Sequence, residues 1–199
     1  MKLVIGLGNP GDRYMNNRRN IGFKIIDVLA NNTGIQIKTK KKKSLLGTGD
    51  FEGNEIVLLK PQTFMDLSGE AVLYIASFLR IPIPNIIVVH DDYSLNYGDV
   101  YVARGAVEVP HIGVESIAKG LKSDKFIRIR VGIGLISKNI EELTGTDVDN
   151  FVLSDFSLEQ NMGIIKVIND AEAALRSILT QDIEDVLSKY KLGASFKES

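Results

Sequence analysis

The chain of 199 residues has no cysteine and only two histidines. The first absence excludes a disulfide framework and any thiolate metal site, and the second leaves little room for a histidine-rich one. No apolar run is long enough to span a bilayer, and Met1-Lys2-Leu3-Val4-Ile5 runs straight into glycines instead of a signal-peptide core. The expected setting is the cytoplasm, without membrane contact. A dominant charge is missing too: a formal net charge of -1 argues against a protein that coats nucleic acid.

What is present is ordinary globular material, 44% hydrophobic and 25% charged. With no repeat, low-complexity tract or linker, it reads as one domain over residues 1–192 with a polar tail at 193–199. The charge is unevenly spread. Residues 1–60 carry 11 Lys and Arg against 5 Asp and Glu, whereas residues 139–199 carry 5 against 12. Lys38 and Lys40 to Lys43 make up much of the first excess, either as a solvated strand end or as a phosphate-meeting cluster.

Lys2 to Leu7 reads as a strand, and Ile21 to Leu29 as a helix closed by Asn31 to Gly34. Strands follow at Ile35 to Lys38, Leu45 to Phe51 and Glu55 to Lys60, the last two joined by a Gly-Asn turn, and a helix from Leu67 to Arg80 stops at Pro82 and Pro84. Further strands are expected at Asn85 to Val89, Val100 to Ala103 and Phe126 to Gly134, with a helix at Gly113 to Leu121. After residue 157 the pattern is purely helical, opened by a Ser157/Gln160 capping box. The interleaving predicts an α/β fold.

Three segments carry chemistry. Gly6-Leu7-Gly8-Asn9-Pro10-Gly11 satisfies G-x-G-x-x-G, but polar Asp12 to Asn17 follows where a dinucleotide site needs a helix. Asn9 instead offers an amide from a Gly-Pro-bounded turn, or the segment is a plain turn. His90-Asp91-Asp92 ends a buried strand, where a metal site, an orienting carboxylate or a strand-end cap are the alternatives. Because adjacent strand residues face opposite sides, His90 and Asp91 are not expected to share one site, which weakens the metal reading. Lys60 to Glu70 is a polar-aromatic loop feeding a helix.

LGNPG, LLKPQTFM-x-LSGEAV, VVHDD, H-x-G-x-x-SI, RIRVGIG and FVLSDFS, in this order from residue 3 to about 190, together resemble the bacterial peptidyl-tRNA hydrolase family. The resemblance implies a monomer with a mixed, twisted sheet flanked by helices, and hydrolysis of the ester joining a peptide to the terminal ribose of tRNA. It further implies no metal or other cofactor, a histidine as general base, an aspartate orienting it, and asparagines binding substrate.

The family's base falls on Arg19, within Asn17-Arg18-Arg19-Asn20. A guanidinium has no lone pair with which to accept a proton at neutral pH. Asp66 stands where the family has asparagine, and so does Ile112, within Val109-Pro110-His111-Ile112-Gly113. Asn9, Tyr14, Phe64, Met65, Asp91 and His111 keep the family's residues. The resemblance puts RNA near Arg130, with Arg104 a partial substitute for basic residues replaced by Tyr101 and Ala103; Arg128 and Lys138 complete the candidate RNA contacts.

These substitutions lead to the expectation that ester hydrolysis is lost or severely weakened while tRNA or other RNA is still bound. An active hydrolase with rewired residues, its base His111, Asp66 or Asp91, is one alternative, and a homologue serving a protein partner or small ligand is another. Geometrically, Asn9, Arg19, Asp66, Asp91 and His111 should line one cleft, Arg19 should pair with Asp91 and share Asp66, and the cations from Lys40 to Lys138 should form one connected surface away from the acidic carboxyl-terminal third.

Overall fold

Short apolar runs bounded by turn residues build the sheet: β1 (Lys2–Gly6), β2 (Thr39–Lys40), β3 (Ser44–Phe51), β4 (Asn54–Pro61), β5 (Ile86–Asp92), β6 (Val100–Arg104) and β7 (Ile127–Gly132). In the computed structural model, which describes residues 1–105, 109–134 and 143–191, they lie in the order β2-β3-β4-β1-β5-β7-β6. The four central strands β4, β1, β5 and β7 are parallel, and β3 and β6 flank them antiparallel. The helices are α1 (Ile21–Thr33), α2 (Ser68–Phe78), α3 (Ile112–Leu121), α4 (Gly145–Val152), α5 (Leu158–Thr180) and α6 (Ile183–Lys189).

Side chains alternate across β1, so the sheet feeds two cores. Val4 packs with Ile25, Ile26 and Leu175 of α1 and α5, while Leu3 and Ile5 pack with Val72, Ile75 and Ile117 of α2 and α3. Helix α1 comes close enough to β1 that a Cβ on Gly22 would lie 2.5 Å from the carbonyl oxygens of Leu7 and Val89. Gly6 and Gly8 are equally crowded, by Gly22 and Phe23, and Gly11 leads into a single 3-10 turn at Asp12–Tyr14. The glycines therefore serve helix-to-sheet packing, and no helix opens at the third one.

Several boundaries differ from the sequence expectation. Ile35 to Lys38 is not a strand: Ile35 fills the space against Gly47 and Gly49, and pairing begins only at Thr39. The β3–β4 hairpin turns at Glu52-Gly53, both at positive φ (50° and 78°), instead of at Gly-Asn. Arg128 and Arg130, which alternate with apolar residues in β7, are buried. The Ser157/Gln160 capping box is present, and a second one, Thr144/Asp147, opens the unanticipated α4.

Parallel pairing puts the carboxyl ends of β1, β4, β5 and β7 on one edge. Because β3 is antiparallel to β4, with Ser44 opposite Pro61, the β2–β3 turn reaches that edge too.

Candidate functional site

At this edge the chain leaving β1 meets the amino-terminal approach to α1. The Asn20 amide grips the backbone of Asn9 twice, accepting from Asn9 N at 2.8 Å and donating to Asn9 O at 2.9 Å. The Asn9 side chain is thereby fixed at the wall of a 270 Å³ cavity shared with Met15, Phe23 and Gln62. Its Oδ1 is buried and has no partner among the described residues. Asn20, a cap-like residue just before a helix, is a site residue that the sequence did not single out.

Arg19 lies in the 3-10 turn before α1, and its Nη1 donates to Asp91 Oδ2 at 2.9 Å. Asp91, the last residue but one of β5, is fully buried, and His111 Nε2 sits 3.0 Å from its other oxygen. Burial alone would raise the Asp91 pKa, but Arg19 and then His111 outweigh it and hold the carboxyl at about 2. His111 is the N-cap of α3, with Nδ1 accepting from Gly113 N at 3.2 Å and Val114 N at 3.3 Å. Nδ1 therefore carries the lone pair and Nε2 the proton, so the 2.9 Å approach of Arg19 Nη1 to Nε2 brings two donors onto one carboxylate.

His90 also reaches this cluster. Its ring lies 4.7 Å from that of His111, edge to face, and its Nδ1 is 2.8 Å from the Asp91 carbonyl. Burial first, and then the neighbouring His111, lower its pKa to about 3. The expected separation of His90 from Asp91 thus fails. Their side chains leave opposite faces of β5, but at the strand's end His111 touches both. Asp92 instead pairs with Arg130 at 2.8 Å; burial raises its pKa, and Ser94 and Arg130 lower it further than that.

Asp66 departs from expectation. It sits in the 3-10 turn Met65–Leu67, its carbonyl accepts from Ser116 Oγ of α3, and its exposed carboxylate makes no ion pair with Arg19. The turn is held too tightly against α3 to send the side chain inward: Gly69 approaches the Ser116 backbone, and Met65 packs beneath Gly113. Asp66 lies on the turn that adjoins α3, Ile112 opens α3, Phe64 is 59% exposed just before that turn, and Tyr14 is half-buried under Arg13. Arg19, Tyr93, Pro110 and Ile112 line a 350 Å³ cavity with Thr144, Gly145, Val148 and Asp149 of α4 and its approach, none of which the sequence pointed to.

The expected connected cationic surface does not form. Arg128 donates to the Gly105 carbonyl, Arg130 is buried on Asp92, and Lys40 to Lys43 lie at the opposite sheet edge from β6. Arg104 pairs with Glu184 of α6 at 2.5 Å, so at this cation an acidic residue of the carboxyl-terminal third packs on it instead of facing elsewhere. Lys138 and the tail 193–199 lie outside the described residues.

Comparison with known proteins adds the family. A family model described as peptidyl-tRNA hydrolase matches residues 3–199. A peptidyl-tRNA hydrolase of Caldanaerobacter subterraneus subsp. tengcongensis is 40% identical over 96% of this chain and 99% of its own length. One from Geotalea uraniireducens is 37% identical, covering 96% of each. The crystal structure of peptidyl-tRNA hydrolase from Acinetobacter baumannii superposes with a TM-score of 0.86 at 27% identity, over 96% of this chain and 94% of the other. These matches overturn the expectation of lost hydrolysis: relatives matched over nearly their full length at 37–40% identity are named as peptidyl-tRNA hydrolases. The reading they favour is the alternative, an active hydrolase with altered residues.

Proposed function

Because the chain belongs to the peptidyl-tRNA hydrolase family, we propose that it hydrolyses the ester between peptide and tRNA at the cleft around Arg19, Asp91 and His111, with the catalytic roles redistributed. The observation that carries this reading is the Asp91-centred cluster: both carboxylate oxygens are paired, one with Arg19 in the base position and one with His111. Arg19 cannot take a proton, but Nη1 is the nitrogen that pairs with Asp91, and Arg19 lines the 350 Å³ cavity. It is placed to stabilise negative charge developing on the ester carbonyl, the role of an oxyanion donor. Asp91, neutralising Arg19 and fixing His111, is a positioning residue.

The proton of the attacking water needs an acceptor. His111 uses Nδ1 on the helix cap and Nε2 on Asp91, and both Asp91 oxygens are taken. Among the described residues, the carboxylate that lines the cavity with Arg19 is that of Asp149, and it takes the role of general base. The test is hydrolysis of a peptidyl-tRNA by the purified chain and by Asp149→Asn and Asp149→Glu. The expected result is a rate about 10²-fold lower in Asp149→Asn with partial retention in Asp149→Glu; an unchanged Asp149→Asn rate removes Asp149 from the mechanism.

A further inference from the structure

The cavity at Asn9 continues sideways. It shares Leu45 and Gln62 with a larger one, of 530 Å³, lined by Lys40, Lys41, Lys42 and Lys43. The two form one groove along the sheet edge, from the asparagine beside the catalytic cluster to four consecutive lysines. No carboxylate pairs with any of these four among the described residues. Lys42 and Lys43 sit at positive φ (45° and 54°), a conformation unusual for lysine, in the turn that lines the groove. Lys41 lies 3.2 Å over the Phe78 ring and Lys42 is 5.5 Å from that of Tyr74, so aromatic faces of α2 hold two of the cations in place.

We infer that this groove is a subsite for the peptide portion of the substrate and that the lysines favour acidic residues in it. The inference rests on the hydrolase reading above. The floor between Asn9 and the lysines is built from Pro10, Met15, Phe23 and Leu45, with Asp12, Lys24, Asp27 and Lys60 beside it. Apolar contacts suit a polypeptide, whereas a phosphate backbone threaded here would gain little, because the two lysines beside this floor are matched by two carboxylates, Lys60 pairing with Asp27 at 2.6 Å. From β1 to β2 is three strand spacings, about 14 Å. An extended peptide covers that in about four residues, so the preferred acidic positions lie roughly three to five residues from the ester.

Two readouts test this on matched substrates that share one tRNA and differ only in Glu or Gln at those positions. Affinity is measured with amide-linked analogues that cannot be hydrolysed, and kcat/KM with the esters. The Glu form is expected to bind about five- to tenfold tighter at low salt and to lose the advantage at high salt. Lys40→Gln/Lys43→Gln should abolish the preference while leaving the Gln substrate unchanged, and Lys40→Arg/Lys43→Arg should keep it, which excludes misfolding as the cause. Equal affinity of the wild-type chain for both analogues overturns the inference. So does an equal loss for both analogues, and for free tRNA, in the Gln variant, which assigns the lysines to RNA. Absence of turnover on either ester refutes the hydrolase reading instead, and the analogue affinities still decide the subsite.

Discussion

Arg19 and Asp91 form a buried ion pair whose side chains are 5% and 0% exposed. Such a pair adds little over an apolar replacement, but removing one partner strands the other. Arg19→Ala should therefore lower unfolding free energy by about 3–5 kcal/mol, measured by denaturant titration. The pH dependence has two windows. The Asp91 pKa is lowered from 3.8 to about 2 on folding, so its contribution is complete above pH 3.8 and is lost as pH falls through about 2. The His90 pKa is lowered from 6.5 to about 3, so the unfolded chain takes up protons that the folded chain refuses, and stability falls on acidification between those values. His90→Gln is expected to flatten the upper window and leave the lower one; an unchanged slope between pH 6 and 4, the upper part of that window taken in round figures, would show that other groups set it.

At the scale of elements, α4 and α5 reach the site through Arg18. Its guanidinium donates to Ser154 Oγ at 2.6 Å, to the Asp155 carbonyl and to Gln160 Oε1 at 2.8 Å, and lies 4.6 Å from the Phe151 ring. Gln160 Oε1 also accepts from Ser157 N, so one side chain ties the capping box of α5 to the turn that carries Arg19. Arg18→Ala is expected to cost about 3 kcal/mol and to raise hydrogen exchange in α4. Ser157→Ala, losing only the cap, should cost about 1 kcal/mol. Comparable losses in the two variants would mean that Arg18 does not dock these helices.

These contacts also show what the sequence made legible. The long α5 was readable because Ser157, Gln160 and a regular apolar stripe agree, and β5 because Ile86 to Val89 is uninterrupted. Helix α4 was not, since eight residues of mixed polarity show little periodicity, although Thr144 and Asp147 spelled its capping box. Of the site, Asn9, Arg19, Asp91 and His111 were found from motifs. Asn20, Tyr93 and the α4 residues were not, because their roles arise from contacts distant in sequence. The direction of Asp66 depended on how closely Gly69 approaches Ser116, which no local pattern encodes.

At the scale of the molecule, the sheet gathers the carboxyl ends of four parallel strands and the β2–β3 turn on one edge, and the candidate site and the lysine groove both lie there. The three positions at which the resemblance implied other residues do not cut this edge apart: Arg19 is neutralised, Ile112 borders a cavity and Asp66 faces solvent. The central claim is that the edge still cleaves peptidyl-tRNA, with Arg19 acting on the carbonyl. Single-turnover hydrolysis by the wild-type chain, Arg19→Lys and Arg19→Ala measures this directly. The account predicts wild-type cleavage well above the spontaneous rate, an Arg19→Ala rate lower by about 10²–10³, and an intermediate Arg19→Lys. A wild-type rate no faster than spontaneous hydrolysis, or a folded Arg19→Ala protein as fast as wild type, would contradict it.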